Sequence, residues 1–344
     1  MRFQDYLNHS AKEINREIGK FFISWSREVK TASPKLIGLN KAFIQASEGG
    51  KRLRGVLVKL GYELADTKYN PEILKPAAAF EIFQTAILAH DDIIDQSPLR
   101  RGKPTVYMQL GGNHYGMSQT ICLGDIGYFL AVRLIAQSDF SSERKTKALE
   151  LFSQAMLETA LGQMLDVELP YLEGDKEEAD ALTVFRLKTA RYTLVGPLSL
   201  GAILGGADEK LLKSIEMFGE SLGIAFQIQD DILGVFGNEQ EVGKSITSDI
   251  EEGKNTLLLI HALKNGSAKE RQVLDQYYGK GKVGDINVKR IREVFVSSGA
   301  LEYSQKKAEE LINDAKDVIS KMEIQQNCKE MLLQMADFLV KRSK

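Results

Sequence analysis

The chain has 344 residues, 43% hydrophobic and 27% charged, a balance typical of a soluble globular protein with a large core. Its formal net charge of −2 favours neither nucleic acid nor an anionic membrane surface as a partner. The two distant cysteines, Cys122 and Cys328, predict neither a disulfide framework nor a zinc site. With no signal peptide visible and no apolar run of the ~18 residues that a membrane helix needs, we expect a cytoplasmic protein without a transmembrane segment.

Long segments between the prolines carry apolar residues at helical spacing, as in 80–88 and 148–159, and few stretches alternate with the period of strands. Short connections with glycine or proline, such as 66–71 and 279–282, separate these segments. None is a long or low-complexity linker. The sequence therefore predicts an all-α protein, a single large helical bundle with residues 1–344 in one domain.

The first segment with chemical character is a basic turn before a probable helix start. Gly49 and Gly50 precede the cations Lys51, Arg52 and Arg54. Glycine allows the backbone to approach a ligand closely. Cations at a helix N-terminus add to the positive end of its dipole, which is unfavourable unless an anion binds there. The pattern indicates an anion site, and a solvated basic loop is the alternative.

The next segment is an apolar helical run, 87–95, that ends in Asp91, Asp92 and Asp95. Asp91 and Asp95 share a helix face, so their charges repel unless a cation compensates them. Magnesium suits such oxygen ligands, since it typically takes one or two carboxylates and completes its shell with water and substrate phosphate. The alternatives are a solvated acidic helix end or carboxylates paired with nearby arginines.

A cationic segment, 96–105, follows immediately and contains Arg100, Arg101 and Lys103 between two prolines. Arginine matches phosphate oxygens in a bidentate fashion. Carboxylates that hold magnesium next to arginines that hold phosphate would form a diphosphate site. The alternative is an internal salt-bridge network.

A second acidic pair, Asp230 and Asp231, lies in the apolar run 226–234, one turn after Gln227. Buried carboxylates are costly without partners, so we expect them to be paired or metal-bound rather than at a solvated helix end. Polar residues in three neighbouring segments are candidates for the same site: Gln163, Asp166, Lys188, Thr189, Lys244, Asp249 and Lys254. Taken singly, Lys188 could equally be a surface lysine with a buried stem, and Gln163 and Asp166 a simple polar stripe.

The motifs GGKRLR, HDDIID, LRRGKPT, LKTA, FQIQDD and GK…SD…EGKNT occur in this order over residues 49–254. Together they resemble the trans-type polyprenyl diphosphate synthases, which include the farnesyl and geranylgeranyl diphosphate synthases. The resemblance implies an isoprenoid synthase fold with a deep central cavity, usually in a homodimer. It also implies Mg²⁺ as cofactor and head-to-tail condensation of isopentenyl diphosphate with an allylic diphosphate.

The resemblance also assigns roles to individual residues. Asp91 and Asp95 would bind magnesium on the allylic diphosphate, and Asp230, helped by Asp231 or Asp249, a further magnesium. With Lys188, the residues Asp91, Asp95 and Asp230 form the implied catalytic set. The implied substrate-binding residues are Arg100, Lys188, Thr189, Gln227, Lys244 and Lys254 around the allylic diphosphate, and Lys51, Arg54, Gln84 and Arg101 around isopentenyl diphosphate.

Two positions depart from the family pattern. Gln84 stands where many members have histidine, although glutamine can also donate a hydrogen bond. Gly234 stands where many members have a third aspartate, which weakens the second metal site unless Asp249 compensates.

Product length should depend on Ala86, five residues before Asp91. In the family that this chain resembles, a bulky aromatic residue at this position is expected to block the growing prenyl chain. The small side chain of Ala86 therefore predicts a product longer than farnesyl diphosphate. Geranylgeranyl diphosphate is the expected product, and a longer-chain polyprenyl diphosphate is the alternative.

Three other functions would require different sequence features. A terpene cyclase should carry an Asn/Asp…Ser…Glu metal motif, and a membrane prenyltransferase should have spanning segments. A non-catalytic scaffold or regulatory subunit should have lost an aspartate or lysine from these motifs, but apart from Gly234 none is missing.

Overall fold

The computed structural model describes residues 2–66, 68–172, 174, 176–237 and 247–340. In this part of the chain almost every element is a helix, so the all-α prediction is confirmed. The described strands are two two-residue segments, β1 (Leu99–Arg100) and β2 (Lys103–Pro104). They pair antiparallel, with Arg100 opposite Lys103, and form a tight hairpin in the predicted cationic segment.

The α-helices in the first part of the chain are α1 (Phe3–Ala32), α2 (Ile37–Ala46), α3 (Leu53–Ala65), α4 (Leu74–Ile94), α5 (Val106–Gln109), α6 (His114–Ala136) and α7 (Ser142–Glu168). Those in the middle are α8 (Glu178–Val184), α9 (Gly196–Gly205), α10 (Glu209–Phe236) and α11 (Ser248–Glu252). The last five are α12 (Leu257–Asn265), α13 (Ala268–Tyr277), α14 (Asp285–Ser297), α15 (Ala300–Lys321) and α16 (Gln326–Val340). Short 3₁₀ turns cover Pro34–Leu36, Pro71–Ile73 and Leu169–Tyr171, and a π-helix covers Phe185–Val195.

The chain divides into two compact units, and each unit is built from several stretches of the chain. The first comprises Met1–Ser153, Gly196–Leu212 and Ile324–Cys328, and the second comprises Gln154–Val195, Lys213–Glu323 and Lys329–Lys344. The assignment of residues 1–344 to one domain stays a prediction.

Helix α4 runs through the core of the first unit and positions the first acidic cluster at its C-terminal end. Its residues Phe80 and Phe83 are fully buried and pack against Phe152 in edge-to-face geometry, with ring centroids 5.2 and 5.1 Å apart. Helices α3 and α9 approach so closely that a Cβ on Gly61 or Gly201 would overlap the backbone of the opposite helix. The aromatic contacts of Phe80 and Phe83 surround α4 with the dense packing that a binding site at its end requires.

The core of the second unit is an apolar cluster that includes the buried face of α10. Ile228, Ile232 and Val235 from this face pack with residues of α12, α14 and α15. The π-helix lies against three glycines, since a Cβ on Gly162, Gly219 or Gly223 would overlap it. The i→i+5 helix is wider than an α-helix and is rare, and it is found most often at functional sites.

Among the described helices, α6 is long and apolar enough by length and composition to cross a membrane, and 44% of its apolar window is buried within the protein. The absence of a transmembrane segment therefore stays a prediction. Polar residues interrupt the sequence of α6, so it contains no long uninterrupted apolar run.

Candidate active site

The predicted site residues fall into two groups, one in each unit. The first unit holds Lys51, Arg54, Gln84, Ala86, Asp91, Asp95, Arg100 and Arg101. The second unit holds Lys188, Thr189, Gln227, Asp230 and Lys254 among the described residues. Lys244 lies outside the described residues.

The basic turn has an unusual backbone conformation. Gly49, Gly50 and Arg52 all have positive φ, at 77°, 80° and 54°, and helix α3 begins directly after them at Leu53. Glycine adopts this region freely, whereas a side chain such as that of Arg52 is found there only under constraint. The turn leaves Lys51 exposed and Arg52 buried, so one of these neighbouring side chains lies in solvent and the other inside the protein.

The constraint on Arg52 comes from its buried guanidinium. Its Nε donates to Asn15 Oδ1 at 2.7 Å, and a terminal nitrogen donates to the Ser47 carbonyl at 2.6 Å. The other terminal nitrogen lies 3.6 Å from Glu81 Oε2, and Glu81 Oε1 accepts from the Gly55 amide at 2.8 Å. Glu81 therefore joins the turn to the buried Gly55 amide in the first turn of α3.

The first acidic cluster ends α4, where Asp95 caps the helix after Ile94. Arg100 pairs with this cluster, its Nε 2.6 Å from Asp92 Oδ1 and a terminal nitrogen 3.3 Å from Asp91 Oδ2. For Arg100, the structure thus shows the salt-bridge network that the sequence left as an alternative. The pairing does not exclude a phosphate site, because a bound metal and diphosphate would compete for the same charges.

Burial dominates the electrostatics of this cluster. It raises the pKa of Asp92 to about 6, against the opposing effect of Arg100. Burial also disfavours the Arg100 cation, but Asp92 and Asp91 outweigh that effect and raise its pKa. At neutral pH, Asp92 and Arg100 are therefore both charged, and each stabilises the charge of the other.

A cavity of about 500 Å³ opens in the first unit beside this cluster. Its wall includes Gln84, Asp92, Arg100 and Arg101 together with the backbone of Gly49 and Gly50. Loss of hydration lowers the pKa of Arg101; Glu81 opposes this shift, and the cations Arg52, Arg100 and Arg54 reinforce it. The cations Arg52, Arg100, Arg101 and Lys103 outnumber the carboxylates Glu48, Glu81 and Asp92 in the cavity wall, and a bound anion would balance the excess positive charge.

In the second unit, the π-helix presents Lys188 and Thr189. Lys188 Nζ donates to Asp166 Oδ2 at 2.6 Å, so Asp166 is a partner of the lysine rather than part of a solvated stripe. Thr189 Oγ1 donates to Gln227 Oε1 at 2.6 Å, and Gln227 Nε2 donates to Asp231 Oδ1 at 2.7 Å. This chain of hydrogen bonds fixes the amide of Gln227 and orients Asp231.

Asp231 is buried, and its environment disfavours charge. Burial raises its pKa well above the ordinary value, and the neighbouring carboxylate of Asp249 raises it further. Its Oδ2 has no hydrogen-bond partner within the described ranges. A buried carboxylate oxygen without a partner is costly, so this atom indicates a missing cation or proton.

Asp249 and Lys254 complete the second group. Lys254 Nζ lies 3.2 Å from Asp249 Oδ1, and its backbone amide also donates to the Asp249 carbonyl. Asp249 is buried beside Gly234, and its Oδ2 occupies the space that a Cβ on Gly234 would need.

The donors fit magnesium although, within the described part of the chain, no three acidic, histidine or cysteine side chains converge as a metal cage. Magnesium usually takes only one or two protein carboxylates and completes its shell with phosphate and water. The half-buried Asp91 and the unpartnered Oδ2 of Asp231 meet this requirement in their respective units. Here magnesium would neutralise developing charge on phosphate oxygens.

Two residues of the first group were not identified from the sequence, Arg52 and Glu81. Arg52 is part of the GGKRLR motif, but the motif does not show which of its cations is buried and which are exposed. Glu81 is a lone carboxylate in an apolar helical run, and this pattern alone indicates a buried partner.

Ala86 and His90 occupy different surroundings. Ala86 is fully buried, with its methyl group against the position of Gly127 on α6. His90 bonds to the Ile121 carbonyl at 3.0 Å and to Tyr128 Oη at 3.1 Å, which gives it a structural role.

Comparisons with known proteins agree on one protein family for this chain. The sequence model described as polyprenyl synthetase matches residues 38–324. A geranylfarnesyl diphosphate synthase of Aeropyrum pernix is 34% identical over 90% of this chain and 95% of its own length. A geranylgeranyl diphosphate synthase of Sulfolobus acidocaldarius is 30% identical over 99% of both chains.

A solved structure agrees with these sequence matches. The geranylgeranyl pyrophosphate synthase of Corynebacterium glutamicum, complexed with isoprenyl diphosphate and magnesium, superposes with a TM-score of 0.91 at 27% identity, over 99% of this chain and 100% of that one. Since the family model spans most of the sequence and the relatives align along nearly their whole length, the chain belongs to the polyprenyl synthetase family and is a prenyltransferase of the trans-polyprenyl diphosphate synthase type.

Proposed function

We propose that the enzyme condenses isopentenyl diphosphate with an allylic diphosphate, uses Mg²⁺, and makes geranylgeranyl diphosphate. The observation that carries this proposal is the cavity where Gln84, Arg100 and Arg101 meet the buried end of the acidic cluster. Guanidinium groups next to carboxylates suit a diphosphate and its metal.

In the first unit, Asp91 and Asp95 would hold the metal of the allylic diphosphate, and Arg100 would exchange its carboxylate partners for phosphate oxygens. Lys51, Arg54, Gln84 and Arg101 hold isopentenyl diphosphate. The apolar wall residues of the cavity, Leu88, Ala89 and Val106, exclude water that would quench a carbocation.

In the second unit, Asp230 would bind a further metal, supported by Asp231 and Asp249. The family pattern assigns Lys188, Thr189, Gln227, Lys244 and Lys254 to the allylic diphosphate. Magnesium, when bound, neutralises the diphosphate and so makes it a better leaving group. The lysines add positive charge as the allylic C–O bond breaks.

The double bond of isopentenyl diphosphate then attacks the allylic carbon, and the proton lost in forming the new double bond goes to the departing diphosphate. The reaction needs no serine, cysteine or histidine nucleophile. This agrees with His90, whose two ring nitrogens are both engaged by Ile121 and Tyr128.

The proposed product rests on Ala86 and on relatives named geranylgeranyl diphosphate synthase. Relatives named geranylfarnesyl diphosphate synthase support the alternative of a longer chain. The chain length of the product is therefore the property to measure first.

We also propose that the enzyme is a cytoplasmic homodimer. Helix α6 exposes Ile121, Phe129 and Val132, with Phe129 75% accessible. Large apolar side chains on one helix are typical of a surface that associates with a second protein. Sedimentation of the wild type and of Phe129→Glu tests this, because a dimer should become a monomer in the variant.

The activity is tested by incubating the chain with isopentenyl diphosphate and dimethylallyl, geranyl or farnesyl diphosphate, with and without Mg²⁺. We expect longer prenyl diphosphates, one diphosphate released per condensation, and no product after chelation of the metal. Asp91→Asn should lower kcat at least ~100-fold. The control Asp5→Asn, at an exposed site on α1, should leave kcat unchanged. Lack of product with every starter, or full activity without metal, would refute the function.

A further inference from the structure

Arg52 and Glu81 lie behind the basic turn and are both almost completely buried, at 6% and 4% exposure. Arg52 has all three guanidinium nitrogens near protein oxygens, those of Asn15, Ser47 and Glu81. Glu81 is an anion and would repel a diphosphate. Neither side chain is therefore suited to bind the substrate itself, although both reach the cavity wall.

Their connections lead instead to the residues assigned to isopentenyl diphosphate. Arg52 lies between Lys51 and Arg54, and its left-handed backbone sets the directions in which those two neighbours leave the chain. The Glu81 carboxylate accepts from the Gly55 amide, next to Arg54. The Arg101 guanidinium lies against Gly50, so the shape of the turn also determines where Arg101 can rest.

We propose that Arg52 and Glu81 are positioning residues that hold Lys51, Arg54 and Arg101 in the geometry that binds the diphosphate of isopentenyl diphosphate. This inference rests on the proposed function of the same cavity. A buried pair of this kind acts on binding through the shape and charge of the turn, as the residues behind a metal ligand act on the metal.

The first variant is Glu81→Gln, whose amide oxygen can still accept from the Gly55 amide but whose charge is lost. We expect KM for isopentenyl diphosphate to rise roughly ten-fold or more, and KM for the allylic diphosphate to change less than two-fold. A merely structural role would affect both substrates equally. Arg52→Lys keeps the charge but loses the planar fork, and should show the same split.

A third variant, Asn15→Ala, tests the same role at a site where misfolding is not expected, since Asn15 is an exposed residue of α1 outside the cavity wall. It removes one anchor of Arg52 and should raise KM for isopentenyl diphosphate several-fold, with little change in Tm. The matched control is Glu13→Gln, which weakens a different, partly buried ion pair, that of Glu13 on α1 with Lys59 on α3 at 2.7 Å. It should lower Tm and leave both KM values unchanged.

The outcomes separate the two proposals. If the wild type forms no prenyl product, the function is wrong. The positioning role is wrong if the wild type is active but the variants do not change the KM ratio of the two substrates. The variants that decide this are Asn15→Ala and whichever of Glu81→Gln and Arg52→Lys folds. A Glu81→Gln/Arg52→Lys double variant no worse than the poorer single variant supports a pair that acts as one unit.

Discussion

The carboxylate of Asp249 lies in the space beside Gly234 that any side chain at that position would need. Gly234 is buried on α10, three residues after Asp231, and Asp249 is also buried, at the start of α11. The glycine that departs from the family pattern therefore leaves room for a different carboxylate. A negative charge is kept near Asp231, but it comes from another segment of the chain.

Gly234→Asp, which restores the family pattern in sequence, is expected to damage the enzyme. The new carboxylate would displace Asp249 and would place a third acidic group in a buried region, so kcat should fall at least ~10-fold. Gly234→Ala should also be impaired, because even a methyl group meets Asp249 Oδ2.

The control for this pair is Gly38→Ala, since nothing lies within 4 Å of a Cβ at Gly38. It should retain full activity and gain helix stability. The measurements are steady-state rates against Mg²⁺ concentration and Mn²⁺ binding without substrate. Higher activity or tighter metal binding in Gly234→Asp would contradict the proposed role of Asp249.

Ala86→Tyr is expected to shorten the product to farnesyl diphosphate or less. A ring at this position would extend from α4 into the path assigned to the growing chain. Because the Ala86 methyl already lies against Gly127, the ring should also cost about 1–3 kcal/mol of stability by overpacking. Chain length by chromatography and Tm are measured together, and a folded variant with unchanged product length would refute this placement.

The metal-free protein should lose stability as pH rises through the pKa of Asp92. That pKa is raised to about 6 by burial, whereas an unfolded aspartate titrates near ~3.9. The folded state binds this proton more tightly, so the contribution is fully present below pH ~4 and is lost above pH ~6.

Asp92→Asn should remove this pH dependence. Relative to wild type, its free energy of unfolding should increase by about 2–3 kcal/mol between pH 4 and pH 7, as measured by urea denaturation with chelator present. A constant difference across this range would show that Asp92 does not titrate there.

Gln84→His is expected to keep KM for isopentenyl diphosphate within a few-fold of wild type, since both side chains donate a hydrogen bond into the cavity. Gln84→Leu keeps a similar volume but removes the donor, so this KM should rise about 10-fold, in the range of one lost hydrogen bond to a charged group. Equal kinetics of the two variants would show that Gln84 does not contact the diphosphate.

Regular features of the fold and the chemical motifs were predictable because they depend on local sequence. Apolar residues at helical spacing predicted α4 and α7, and the glycine pair before Lys51 correctly predicted a turn followed by a helix start. The acidic and cationic motifs predicted candidate site residues because each motif is contiguous in the chain. The tight hairpin around Arg100 and the π-helix around Lys188 were not predicted, since neither has a periodic pattern of its own.

The sequence by itself determined an all-helical chain and its family, and it supplied the candidate residues for a diphosphate and its metal. Only the tertiary structure decided which charges are buried and what each one contacts. It separated the buried Arg52 from the exposed Lys51, paired Arg52 with Glu81, and placed Asp249 beside Gly234. The physical reason is that periodicity and composition are local properties, whereas burial and ion pairing depend on segments that are distant in the chain and meet only after folding.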